Sequence, residues 1–299
     1  MILENFGEAF ALICAILWAS AIIIFKQVGE TMSANTLNLV KNLIGLSLLV
    51  PTAIFVEGAL LPQLNVNQWL ILIVSGYFGI AVADTWYLQA LRNLGAGRTA
   101  IVASLYSPFV VLLSIIFLHE QLAVWQWLGF ILVLVGILIV VYQRSYQSIV
   151  GKQLWLGVGL AASSVFLTAA GVVAMKPLLD HNGFFWMVSL RMLAGIIGMF
   201  FFLAARRKLV ATYHEIRFDP HNWLGIVAAS VLGAYLALIF WLAGFKYADA
   251  SVASVLNETA NIFIVLMAWL FLSEGLGRRK ILGVCLTFAG VLIFLGVLS

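Results

Sequence analysis

Apolar runs of roughly twenty residues follow one another along the chain, separated by short polar connections. Runs of that length span a bilayer, for which about 20 residues are needed. Ten are predicted, at roughly 8–28, 34–56, 67–90, 97–118, 122–142, 153–176, 184–205, 222–245, 250–272 and 280–298. Hydrocarbon offers the backbone no hydrogen-bond partners, so spans of this kind are helices. The longest polar connection, Arg206 to His221, is too short to fold as a domain. No nucleotide-binding loop, soluble catalytic domain or low-complexity tail is left over. Met1-Ile2-Leu3-Glu4 lacks the basic flank of a signal peptide, so the first run is read as a retained helix.

The pattern repeats. Trp69-Leu70 recurs at Trp223-Leu224, and at the same offset Gly79 meets Gly233, Ala96 meets Ala250, Phe109 meets Phe263 and Glu120 meets Glu274. Leu122 meets Leu276, Gly129 meets Gly283 and Gly136 meets Gly290. Upstream, a slightly shorter offset aligns Lys26 with Lys176, Lys41 with Arg191 and Gly45 with Gly195. Trp, Glu and Gly do not align through apolar similarity alone. Residues 1–145 and 146–299 are therefore read as two repeats of five spans each. Five is odd, so the second repeat enters the bilayer from the opposite side. Inverted repeats of this kind place a substrate site between the halves.

Composition fits a lipid solvent. The chain is 64% hydrophobic and 9% charged, with a mean hydropathy of +1.11, where a soluble domain carries about 25% charged residues. Gly is frequent, as in closely packed membrane helices. The connections after the odd-numbered spans hold Lys26, Arg92, Arg98, Arg144, Lys152, Arg206, Arg207, Lys208, Arg217, Arg278, Arg279 and Lys280. The opposite side holds only Lys176 and Lys246. The positive-inside rule puts both termini outside the cytoplasm. The basic loops are read as topology determinants and lipid headgroup contacts, not as a nucleic-acid surface. Cys14 and Cys285 both fall inside spans and are read as packing residues. His119-Glu120 is matched in the second repeat by Ser273-Glu274, so only the acid recurs. It is assigned to orienting a helix end or loop, and no metal or cofactor is expected.

The run Ala90-Leu91-Arg92-Asn93-Leu94-Gly95-Ala96-Gly97-Arg98-Thr99-Ala100, then Pro108, Leu118-His119-Glu120-Gln121-Leu122, Gly129 and Gly136, resembles an EamA domain. The second copy, Gly244-Phe245-Lys246-Tyr247-Ala248-Asp249-Ala250-Ser251-Val252-Ala253, then Glu274, Leu276, Gly283 and Gly290, is similar. The tandem covers nearly the whole chain and resembles the ten-helix drug/metabolite transporter superfamily. That resemblance implies eight helices around a central cavity, with the last helix of each half peripheral. It also implies movement of small metabolites or lipophilic cations, with exporters among the members. Cytoplasmic termini are implied too, which the charge count reverses. Ile262 stands where the first repeat has Pro108, so the proline break is expected in one half only.

Ionisable residues deep in a span cost about 2.5–3.5 kcal/mol each on insertion scales, and they mark functional sites. Lys41 and Asp84 are expected at a shared depth, as are Arg191 and Glu258, from a rise of about 1.5 Å per residue. Two readings stand: buried ion pairs that orient helices, or groups facing a cavity. Arg191 with Glu258 is the favoured functional pair, because Asn257 and Asn261 extend the polar face of Glu258. Ser104 and Ser107 occupy the matching region of the first repeat, and Asn38 adds a polar stripe beside Lys41 and Asn42. Trp18 and Tyr106 are candidate cavity aromatics. Gly45 and Gly195, one turn from Lys41 and Arg191, permit close helix approach. The seven-residue glycine spacing on spans 5 and 10 suggests a packing seam, within a monomer or between two. Trp69, Trp125, Trp127, Trp155 and Trp223 read as interfacial anchors.

These readings define an all-α membrane protein, ten transmembrane helices in two inverted repeats around a central cavity. It is expected to be a secondary transporter of the bacterial inner membrane, moving small polar or zwitterionic metabolites such as amino acids by alternating access. Export is the direction implied by the resemblance. Lys41 or Arg191 would meet a carboxylate, Asp84 or Glu258 an ammonium group or a coupling proton. The partners are the substrate and the bilayer, with the protein a monomer or homodimer. The alternatives are a proton-coupled exporter of lipophilic cations and a non-transporting scaffold. A membrane-embedded enzyme is disfavoured, since the four His lie outside the deep span regions.

Overall fold

The structure is a computed structural model that describes residues 6–28, 32–94, 99, 102–141, 152–218, 222–272 and 277–296. His221, Glu274 and the Gly95–Arg98 stretch of the first motif lie outside the described residues.

The described chain is built from helices: α1 (Gly7–Val28), α2 (Ala34–Glu57), α3 (Val66–Gly76), α4 (Asp84–Leu94), α5 (Tyr106–Phe117), α6 (Val124–Val141), α7 (Lys152–His181), α8 (Phe184–Ala205), α9 (Leu209–Phe218), α10 (Trp223–Ser230), α11 (Leu238–Tyr247), α12 (Ala250–Asn257), α13 (Ala260–Leu272) and α14 (Arg278–Phe294). A π-helical segment, Tyr77–Ala83, joins α3 to α4, and another, Val231–Ala237, joins α10 to α11. Among the described residues seven helical stretches are long and apolar enough to cross a membrane. The other three predicted spans contain the shorter apolar helices Tyr106–Phe117, Val124–Ile139 and Ile281–Phe294.

The two π segments occupy matching places in the repeat, since Tyr77 and Val231 are 154 apart. A π turn displaces backbone groups from the regular ladder, and in hydrocarbon they need partners from within the protein. In the first segment Asn38 Nδ2 donates to the Ile80 carbonyl at 2.9 Å, and Ser164 Oγ donates to the Ala83 carbonyl at 2.8 Å. Asn38 is thus a buried structural donor to the π segment, and Asn42 donates to it in turn at 2.8 Å.

Each sequence half also carries a helix break, at Ser104–Leu105 and at Glu258–Thr259. This corrects the expectation that the break is confined to the half with Pro108. The second half bends without proline. Tight turns form from Thr259 N to the Leu256 carbonyl and from Ile262 N to the Thr259 carbonyl. The Thr259 hydroxyl also donates back to Leu256 at 2.6 Å, a contact that bends helices.

Helices of one sequence half pack on the other. α1 lies against α10, α11, α12 and α13, while α7 lies against α3, α4 and α5, and α2 against α8. Glycines make the closest approaches. A Cβ added at Gly45 would come within 2.7 Å of the Ala234 carbonyl, and one at Gly195 within 2.7 Å of the Ile80 side chain. Each glycine therefore seats its helix on the π segment of the other half.

The tightest seam joins α6 to α14 inside one chain. A Cβ at Gly129 would lie 2.7 Å from the Gly290 carbonyl, and one at Gly136 2.8 Å from the Gly283 carbonyl. Neither backbone has room to yield. Overpacking of this kind costs about 1–3 kcal/mol. Gly129→Leu should therefore lower the thermal unfolding midpoint of the detergent-solubilised protein well below that of a control at the outward-facing Leu128. Equal midpoints would show that the seam carries no stability.

Candidate functional site

Between these helices lies a cavity of about 250 Å³. Its walls come from both sequence halves: Cys14, Trp18 and Phe25 on α1, Lys41 and Asn42 on α2, Asp84 and Tyr87 on α4, Ser164 and Thr168 on α7, Arg191 on α8, Trp241 on α11, and the residues around the break at Glu258. Trp18, Lys41, Asp84, Tyr106, Arg191, Asn257, Glu258 and Asn261 all line it. Asn38, Ser104 and Ser107 do not; they are buried behind the wall.

Lys41 and Asp84 are joined, Nζ to Oδ2, at 2.7 Å. Arg191 and Glu258 are not, which corrects the pairing inferred from depth. The break in the first half frees the N-terminus of α5, and the carboxylate of Glu258 takes the Ser107 amide at 3.2 Å and Asn261 Nδ2 at 2.9 Å. A carboxylate at a helix N-terminus satisfies an orphan amide and faces the positive end of the dipole. Counting residues gives no direction around the axis, and the break at Glu258 sets it.

Arg191, only 2% exposed, instead lays its guanidinium over the Trp241 ring, 5.5 Å from the centroid. Gly79 gives it room, since a Cβ there would sit 2.8 Å from Nη2. Nε has no protein hydrogen-bond partner. The Tyr106 hydroxyl and both polar side-chain atoms of Asn257 are likewise buried without one. Trp241 and Gly79 were visible in the sequence only as an aromatic and a repeated glycine; their joint role as a seat for Arg191 emerges only once α8 is placed against the π segment.

The ends of the helices around the cavity are held by acids borrowed from elsewhere in the chain. Glu57 accepts from the amides of Phe185 and Trp186 at 2.9 and 3.1 Å, at the start of α8. Gly58, at φ +89°, closes α2 and offers its carbonyl to the Trp186 indole at 3.1 Å. Glu215 accepts from the Ser33 amide and from the hydroxyls of Ser33 and Thr36 at the start of α2. Glu120 accepts from the Ala250 amide at 2.7 Å and from the amide and hydroxyl of Ser251 at 3.0 and 2.6 Å. His119 beside it adopts φ +57°, and Glu120 is the member of the pair that holds the helix end. The same α11–α12 turn is gripped through its carbonyls, because Lys176 Nζ donates to Phe245 and Ala248 at 2.6 and 2.7 Å. Burial and the nearby charge of Glu120 push the Asp249 carboxyl above its ordinary range, opposed by Lys176.

Cys14 is buried at the cavity wall, whereas Cys285 is exposed on the outer face of α14. Trp69, Trp125, Trp127, Trp155 and Trp223 are all exposed.

A long apolar helical bundle around a largely apolar cavity with a few buried charged groups defines an integral membrane protein of the transporter kind. The EamA-like transporter family matches residues 5–142 and again 155–296, and the chain belongs to that family. It is 26% identical over 219 residues to an uncharacterized transporter of Archaeoglobus fulgidus, covering 73% of this chain and 74% of that one. It is 26% identical over 273 residues to the pseudopaline exporter CntI of Pseudomonas aeruginosa, covering 90% and 88%. Similarity to the UDP-N-acetylglucosamine transporter of Canis lupus familiaris is 22% over 199 residues, or 62% of this chain and 58% of the relative. A crystal structure superposes over 98% of both chains with a TM-score of 0.77 at 16% identity, which speaks to the fold alone. Membership and these relatives make the protein a membrane transporter and not an enzyme.

Glu120→Ala removes three charge-assisted hydrogen bonds from the start of α12. The expected loss is about 2–3 kcal/mol of stability. Thermal unfolding in detergent should show a lowered midpoint, partly restored by Glu120→Gln. Indistinguishable midpoints for Ala and wild type would mean that Glu120 does not hold the turn.

Proposed function

We propose that the protein is a secondary transporter of small polar or zwitterionic metabolites, amino acids foremost. Ten helices would form two inverted five-helix repeats, residues 1–145 and 146–299, that work by alternating access. The observation that carries this reading is the cavity itself. It is walled by both halves and holds a buried guanidinium whose Nε has no protein partner. The duplicated π segments and the duplicated break support the repeat; an odd number of spans per repeat supports its inversion. The cavity reaches Phe25 and Leu37 near the α1–α2 connection, while the α11–α12 turn is tied down by Glu120 and Lys176. That asymmetry supports a state open toward one face, with the other sealed. The basic loops support a cytoplasmic assignment for the open face and termini on the opposite side, in a bacterial inner membrane. One relative is named an exporter, which favours export. Arg191, with no carboxylate on it, weighs against lipophilic cations as cargo.

Counterflow of radiolabelled amino acids in proteoliposomes tests the reading. Arg191→Gln should cut flux by about tenfold or more, the effect of losing one charged hydrogen bond, with reconstitution yield unchanged. Flux equal to that of empty vesicles for every compound in a broad metabolite panel would sink it.

Glu258 is the proposed carrier of a coupling proton, since it lines the cavity and holds α5 through the Ser107 amide. Protonation would weaken that hold and so link proton binding to the break. Glu258→Gln should leave residual flux that no longer responds to an imposed pH gradient. Undiminished gradient dependence would remove Glu258 from the coupling.

A further inference from the structure

The charges around the cavity are not equivalent, and the difference specifies the cargo. Asp84 neutralises Lys41 at 2.7 Å. Glu258 is spent on the Ser107 amide and on Asn261. Arg191 alone among these four faces the cavity with no carboxylate bound to it. Burying a cation without an anion is costly, and a cation–π contact with Trp241 offsets only part of that cost.

Two further buried groups without a protein partner, the Tyr106 hydroxyl and the Asn257 amide, belong to residues that line the same cavity. The cavity wall also carries the rings of Trp18, Tyr87 and Trp241, set among aliphatic side chains such as Ile22, Met192 and Leu238. We propose that the cavity selects a substrate by a single carboxylate, bound by Arg191, carried on a flat apolar or aromatic body that stacks among these rings. Asn257, with one donor and one acceptor face, meets a neighbouring polar group of the same molecule. Both acids already have protein partners, so an ammonium group on the substrate is tolerated and not required. A second negative charge is disfavoured, because Lys41, the other cation, is already paired with Asp84. The guanidinium fork matches a carboxylate in two parallel hydrogen bonds.

This deepens the transport reading but is tested by binding alone. Tryptophan fluorescence of the purified full chain in detergent would be titrated with four probes: 3-phenylpropionate, phenylalanine, phenethylamine and phenylsuccinate. The two monocarboxylates should bind, phenylpropionate at least as tightly as phenylalanine. Phenethylamine and the dicarboxylate should bind about tenfold more weakly or not at all. Arg191→Gln should weaken both monocarboxylates by about 10- to 100-fold. Should that variant fail to fold, Tyr106→Phe provides the second reading. It deletes one hydroxyl and should lower phenylpropionate affinity several-fold at an unchanged unfolding midpoint. Equal or tighter binding of phenethylamine, no binding of either monocarboxylate, or full affinity in a folded Arg191→Gln or Tyr106→Phe protein overturns the proposal. Carboxylate-selective binding without any flux would instead count against transport and leave this assignment standing. Flux of amine cations without carboxylate preference would do the reverse.

Discussion

Every backbone polar group that leaves the regular helix inside a bilayer must be met by another part of the protein, because lipid tails supply nothing. Among the described residues this chain interrupts its helices four times near the cavity, at two π segments and two breaks. The partners are specific. Asn38 and Ser164 serve the first π segment, and Glu258 serves the amide freed at the first break. Much of the polar content of an otherwise greasy sequence is spent on this requirement. What is left over, chiefly Arg191, Tyr106 and Asn257, is what a ligand can use.

The same physics explains how the helix ends are organised. Glu57, Glu215 and Glu120 each lie outside the helix whose start they hold, and each ties together elements distant in sequence. Glu57 reaches from α2 to α8, and Glu215 reaches from α9 back to α2. Such contacts are strong where water is scarce yet are made by a single side chain. They fix the helix positions that shape the cavity without filling the interior with bulky packing.

Much of this was legible in the sequence. Long apolar runs announced the helices, the recurring Trp, Gly and Glu announced the repeat, and the rarity of deep charges picked out Lys41, Asp84, Arg191 and Glu258. Height along a helix follows from counting residues, so the Lys41–Asp84 contact was within reach. Direction around the axis does not survive an irregular turn, and Glu258 stands beside one. The π segments carry no proline or other local signal, and the second break replaces proline with hydroxyl back-bonding from Thr259. Asn38 looked like cavity lining because a buried amide on a polar stripe has the same sequence signature whether it meets a ligand or a stray carbonyl.

The contact between α6 and α14 has a further consequence. There the backbones touch through glycines, with only short contacts from Thr287 and Leu132 beside them and little room to settle into a second arrangement. The final segments of the two halves are thus riveted together at the periphery. Any rearrangement that exposes the cavity to alternate faces has to swivel the inner helices against this fixed frame, leaving the rivet unturned.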